Sequence, residues 1–137
     1  MSVTVGKCLK DILTIEKNYH LLDIKQKRAM TTAFQGVKIA RAKLLIGIRK
    51  MEKPCQANEV ELICKFSFPY NMAAILRDEG MLNIVPNEGR AMHEKYNNYS
   101  LTDQGIEVTD RILSSWEKFL VDAGLSKPKT DDAIPTT

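Results

Sequence analysis

Apolar side chains return every three or four positions from the first turns of the chain onward. Val5, Cys8, Leu9, Ile12, Ile15 and Tyr19 line one face of an amphipathic helix over about residues 5–20. Asp23, with Gln26 three residues later, fits a capping box in which each side chain satisfies a free backbone donor at a helix start. The same period continues through Met30, Phe34, Val37, Leu44, Ile48 and Met51 until Pro54 stops it. Gly36 and Gly47 fall inside that run, and each costs about 1 kcal/mol relative to Ala within a helix. A break near Gly36 divides the run into helices over 24–35 and 37–52.

A shorter helix follows over about 57–66, with Ala57, Val60, Ile63 and Cys64 facing inward. Gln56 with Glu59 and Asn58 with Glu61 are equally good caps for it. Ser67-Phe68 makes a tight connection to a helix that Pro69 opens and Gly80 closes, with Met72, Ile75 and Leu76 as its buried stripe. The period then shortens to two. Met81 to Val85 reads as a strand, Pro86-Asn87-Glu88-Gly89 as a turn, and Tyr99-Ser100-Leu101 as the end of a second short strand. Thr102 is a good N-cap for a last helix, whose apolar side is Ile106, Ile112, Leu113, Trp116 and Leu120 and which ends near Gly124. Residues 125–137 carry almost no bulky apolar side chains and read as a disordered tail. No internal repeat is present.

Composition narrows the class. With 137 residues, 44% hydrophobic and 27% charged, the chain fits one globular domain and excludes collagen, mucin and whole-chain disorder. No apolar run reaches the roughly 18 residues a membrane span needs. The first residues lack the layout of a secretory signal, and three Cys is an odd number for a disulfide framework, so the expected setting is cytoplasmic. The formal charge is +3, but residues 1–53 hold 12 Lys and Arg against 4 Asp and Glu. Residues 54–105 hold 4 against 7, a net negative stretch. The asymmetry points to an acidic partner for the first third, such as nucleic acid. A Lys-rich solvated helix face is the other reading, and both stand at this point.

Catalytic chemistry finds no foothold. The only histidines are His20 and His93, and Cys8, Cys55 and Cys64 show no zinc-type spacing, so neither a metal nor another cofactor is expected. There is no Gly-rich phosphate loop and no G-x-S-x-G turn, so the chain reads as a non-enzyme. Cys64 sits on an apolar helix side and reads as a buried thiol, whereas redox sensing by Cys8 or Cys55 is a separate reading.

The order helix, helix, tight turn, helix, strand, polar loop, strand, helix resembles the winged helix-turn-helix domain. Leu76-Arg77-Asp78-Glu79-Gly80-Met81-Leu82 resembles the end of that family's recognition helix running into its first wing strand. Tyr99-Ser100-Leu101-Thr102-Asp103-Gln104-Gly105 resembles the aromatic-x-Leu-Thr-x-x-Gly stretch that closes the wing. The resemblance spans roughly residues 37–123, and the flanking helices make the chain look most like MarR- or PadR-type regulators. Adaptors for plasmid or phage DNA segregation share the layout.

The resemblance implies a mainly helical fold with a two-stranded β-wing. Residues 1–36 would be an N-terminal dimerisation segment, 37–102 the winged core, 103–124 a C-terminal helix and 125–137 the tail. It implies a homodimer built from residues 5–35 and 106–123, with Trp116 and Phe119 as packing anchors. The implied function is sequence-specific binding of double-stranded DNA, as a repressor reading a near-palindromic site with helix 69–79. Asn71, Ala74 and Arg77 would then face base edges and Tyr70 a phosphate, while Arg90, His93 and Lys95 of the wing would reach phosphates or the minor groove. Lys38, Arg41 and Lys43 would meet the backbone beside the first helix of the motif. Alternatives stay open: Arg77 pairs with Asp78, Glu79 or Glu107; the wing, which also bears Glu88 and Glu94, makes no contact; or the domain docks a protein. Tyr19, Met30, Phe34 and Trp116 either line an effector pocket or pack in the core.

Overall fold

The computed structural model describes residues 4–34, 36–86 and 97–124. Its helices are α1 (Val5–Lys17), α2 (Ile24–Ala33), α3 (Ile39–Met51), α4 (Ala57–Cys64), α5 (Tyr70–Asp78) and α6 (Asp103–Asp122). Strands β1 (Leu82–Val85) and β2 (Asn98–Leu101) lie between α5 and α6. A 3-10 turn at Tyr19–Leu21 joins α1 to α2. Helix α1 therefore stops short of residue 20, where the side chain of Asn18 donates to the Thr14 carbonyl and satisfies one of the helix's last acceptors.

Most of the local signals act as expected. Asp23 and Gln26 form their capping box, and of the two pairs offered for α4 it is Gln56 and Glu59 that close one. Pro69 sits just before α5, and Gly80 follows it at φ 84°. The Gly80 amide donates to the Arg77 carbonyl and the Met81 amide to the Leu76 carbonyl, the paired bonds that end a helix and turn the chain sharply.

Helix α3 is the axis of the core. Every residue from Ala42 to Ile48 is buried, which a helix shows only when neighbours surround it. Helix α1 runs antiparallel along it, since Glu16 meets Lys43 while Gly6 lies near the Lys50 side chain. Helix α4 crosses so closely at Gly47 that a Cβ there would overlap the Cys64 sulfur, so the mid-helix glycine marks a contact and not a break. Helix α6 closes the other side. Trp116 stacks on Phe34 with ring centroids 5.3 Å apart, and its indole N–H donates to Asp11 of α1 at 3.1 Å.

The sheet pairs β1 and β2 antiparallel, with Leu82 opposite Leu101 and Ile84 opposite Tyr99. A third contribution escaped sequence reasoning. Cys55 bridges the outer side of Tyr99, its amide donating at 3.0 Å and its carbonyl accepting at 2.7 Å. One isolated residue gives no alternating pattern to read.

The wing is fastened to α6 through Thr102. Its hydroxyl donates to the Gly80 carbonyl at 2.6 Å and accepts from the Gly105 amide at 3.0 Å, while its own amide donates to the Met81 carbonyl. Gly105 rests on that same Met81 carbonyl, and any Cβ at Gly105 would overlap it. Gly105→Ala is therefore expected to destabilise by about 1–3 kcal/mol or more, because backbone and not a flexible side chain must yield. Thr102→Ala removes the cap and is expected to lose about 1 kcal/mol. Urea unfolding of both variants checks the order, and a Gly105→Ala midpoint equal to that of the unmodified chain would contradict it.

Candidate nucleic-acid interface

Helix α5 is held at both ends. At its start, Phe68 packs between Tyr70 and Tyr99, at ring centroid distances of 5.1 and 4.7 Å, and its amide is taken by the Glu61 carboxylate at 2.8 Å. At its end, besides the Gly80 turn, Arg41 of α3 reaches Glu79 at 2.9 Å. The face turned inward is Ala73 and Leu76, with Met72 half-buried beside them. Ile75 was expected in that stripe, but it is 46% exposed. Helical geometry places it with Asn71, Ala74 and Asp78 at spacings of three, four and seven, the side opposite the core. The small Ala73 takes the inward position instead.

The expected site residues fall into five groups. Asn71 and Arg77 are exposed on α5 and Ala74 is half-buried on its outer side, so these come together. Tyr70 is half-buried at the base of the helix against Phe68. Lys38 is exposed at the start of α3, the end that Arg41 ties to α5. Lys43 does not belong with them. It is 5% exposed, its ammonium pairs with Glu16 at 2.6 Å and lies over the Phe66 ring, and it cannot reach a phosphate from there. Arg90, His93 and Lys95 lie outside the described residues. Lys65, missed in the sequence, is exposed in the turn that feeds α5 and makes no ion pair among the described residues.

The acidic groups of this region are occupied. Glu59 accepts from the Gln56 amide and Glu61 from the Phe68 amide, both holding local backbone. Asp78 pairs with Arg77 at 3.2 Å and Glu79 with Arg41. The basic first third divides in two. Lys38 lies at the start of α3, the end that Arg41 ties to Glu79 after α5, whereas Lys25, Lys27 and Arg28 lie on α2, whose start is bonded through Gln26 to Ala123 at the far end of α6. The 20 residues of α6 put about 30 Å between that end and the wing.

Among solved structures, the chain is similar to a cysteine-to-serine mutant of E. coli MarR complexed with operator DNA, with a TM-score of 0.62, 14% identity and 88% of each chain covered. It is similar to wild-type E. coli MarR in its apo form, with a TM-score of 0.60, 14% identity and coverage of 89% of this chain and 92% of that one. A mutant of S. aureus MepR gives 0.60, 12% identity, and 90% and 89% coverage. The chain has a MarR-like winged helix-turn-helix fold. No protein-family model and no curated protein matches the sequence.

Within this winged helix, two expectations for the helical body change. Trp116 and Phe119, expected as dimer anchors, are buried inside the single chain, Trp116 on Phe34 and Phe119 on Trp116. Met30, Phe34 and Trp116 are core, and Tyr19 is exposed with Lys27 over its ring, so these four line no common pocket. A cleft of about 450 Å³ does open elsewhere, where Val5, Ile48, Arg49, Lys53, Leu101 and Ile106 meet. No group of three or more His, Cys, Asp or Glu among the described residues is placed to hold a metal ion. No helix among them is long and apolar enough to cross a membrane.

All three thiols are buried, and burial is the main cause that raises each above its ordinary 9.0. Cys8 rises to about 12, helped by Asp11; Cys55 to about 11, helped by Glu59; and Cys64 to about 12. Such groups are protonated and poorly nucleophilic at neutral pH. The folded chain also binds more protons than the unfolded one above pH 9, so this contribution to stability is intact below that pH and falls as pH rises toward 11 and 12. A disulfide reagent at about pH 8 is expected to label none of the three until the chain is unfolded. Rapid labelling of Cys8 or Cys55 in the folded chain would reinstate a reactive thiol.

Proposed function

We propose that the chain is a double-stranded-DNA-binding transcription regulator of the cytoplasm that reads its site with α5 and performs no catalysis. The observation that carries this reading is α5 itself: a short helix clamped at both ends, presenting Asn71, Ala74 and Arg77 outward in a fold that E. coli MarR displays with operator DNA. Arg and Asn are the side chains suited to paired hydrogen bonds with guanine and adenine. No side chain caps the start of α5; the Tyr70 amide donates to the Phe68 carbonyl, and the Asn71 and Met72 amides that follow are placed to meet a phosphate. Lys38 and Lys65 supply positive charge beside the helix, and Arg41 contributes while holding Glu79.

The regulator acts as a homodimer and a repressor on a near-palindromic site, its two α5 helices entering major grooves one turn apart. The dimer surface comprises outer residues of the helical body. Leu21 and Ile24 are 70% and 69% exposed at the α1–α2 turn, and Val121 is exposed at the end of α6. A second reading, a protein-docking module, draws on exposed Leu62 of α4 and Ile75 of α5, apolar side chains on the helix-turn-helix.

Fluorescence anisotropy with random and genome-selected duplexes at two salt concentrations separates the readings. DNA binding is expected to weaken steeply with salt as counterions are released. Arg77→Ala is expected to lose sequence preference worth about 1–3 kcal/mol, and Lys38→Ala to lower the salt slope by about one. No binding at low salt would overturn the DNA reading and turn attention to protein partners.

A further inference from the structure

The reading of α5 as the DNA-contacting helix leaves open what chemistry its outer face recognises, and the structure there differs from the sequence expectation. Asn71, Ala74, Ile75 and Asp78 form one stripe down the side opposite Ala73 and Leu76. Seven steps of 1.5 Å from Asn71 to Asp78 span about 10 Å, or roughly three base-pair steps. The middle of the stripe is apolar: Ile75, 46% exposed, beside Ala74. Arg77 lies on the flank, its Nε bonded to Asp78 at 3.2 Å.

Resting on that reading, we propose that the centre of α5 reads thymine methyl groups, with Ile75, supported by Ala74, as a specificity-determining contact alongside Arg77. An isoleucine offers no hydrogen bond to a base edge. The apolar feature presented by the major groove is the thymine C5-methyl, and Ala74 has the small size that lets the helix seat against it. Asn71, one turn before Ile75, is suited to the N6 and N7 of an adenine. The central element of each half-site is therefore A·T-rich, and a thymine falls opposite Ile75. Facing hydrogen-bonding groups alone, Ile75 would strip water from the base edge without replacing its hydrogen bonds.

Uracil isolates this contact, since it keeps every hydrogen-bonding group of thymine and lacks the methyl. The full chain is used to select a duplex from a random pool, and each half-site thymine is then replaced singly by uracil. One or two positions are expected to weaken binding about fourfold each, the worth of one buried methyl-sized group. In Ile75→Ala, a surface change whose folding is checked by thermal melting, the thymine and uracil duplexes are expected to bind equally, closing a double-mutant cycle. A selected half-site without thymine overturns the proposal. So does a uracil series without effect, or a uracil penalty that survives in Ile75→Ala. Each of those leaves DNA binding standing, whereas absence of binding to any duplex overturns this proposal and the reading beneath it.

Discussion

Two backbone segments, the turn after α5 and the first turn of α6, converge on the Thr102 hydroxyl. It donates to the carbonyl after α5 and accepts from the third amide of α6, while the adjoining Thr102 amide holds the first carbonyl of the wing. Gly105 supplies the space that lets α6 rest on that carbonyl. The orientation of α5 is thus set by backbone hydrogen bonds that tolerate little slack, and not by side-chain packing alone. The Arg41–Glu79 pair and the Phe68 ring contacts fix the same helix from its other sides. On the proposed reading, a helix presenting a few side chains to a rigid duplex needs this restraint, because a small angular error at its base displaces those side chains.

The rest of the molecule serves a different purpose. Helix α3 is buried along seven consecutive residues and carries α1 and α4. Arg49, near its end, reaches the start of α6, bonding the Ile106 carbonyl, Thr109 and Asp110. Trp116 and Phe34 close the body between α2 and α6. With those rings enclosed, the most exposed apolar side chains of the body, Leu21 and Ile24, lie at the α1–α2 turn beside Lys17, Lys25 and Arg28. The net positive charge of the first third is therefore split between two ends of the molecule. Simple proximity in sequence to the helix-turn-helix did not reveal that.

What the sequence disclosed was whatever a few adjacent residues decide. The Asp23–Gln26 box, Pro69, Gly80 and the Thr102 cap act through backbone groups within four residues, so their chemistry is written locally. Their order, ending in the Thr-x-x-Gly stretch, was enough to indicate the winged helix. The site was less legible because side-chain direction on α5 depends on which neighbour the helix meets. Met72, Ile75 and Leu76 make a sound stripe by spacing, yet the packed helix turns Ala73 inward and leaves Ile75 outside. Lys43 was misplaced for the same reason: only tertiary contact brings Glu16 and the Phe66 ring to it. Cys55 pairs with Tyr99 across 44 residues, beyond any local signal.

The account rests on α5 being the surface that meets DNA, and hydrogen–deuterium exchange with and without a selected duplex tests that directly. Slower exchange is predicted across α4, the turn containing Lys65, the first turns of α5 and the start of α3 at Lys38, with the α1–α2 turn unchanged by DNA. Protection confined to residues 19–28 and the end of α6, with α5 unaffected, would contradict the account and move the DNA-binding surface to the opposite end of the molecule.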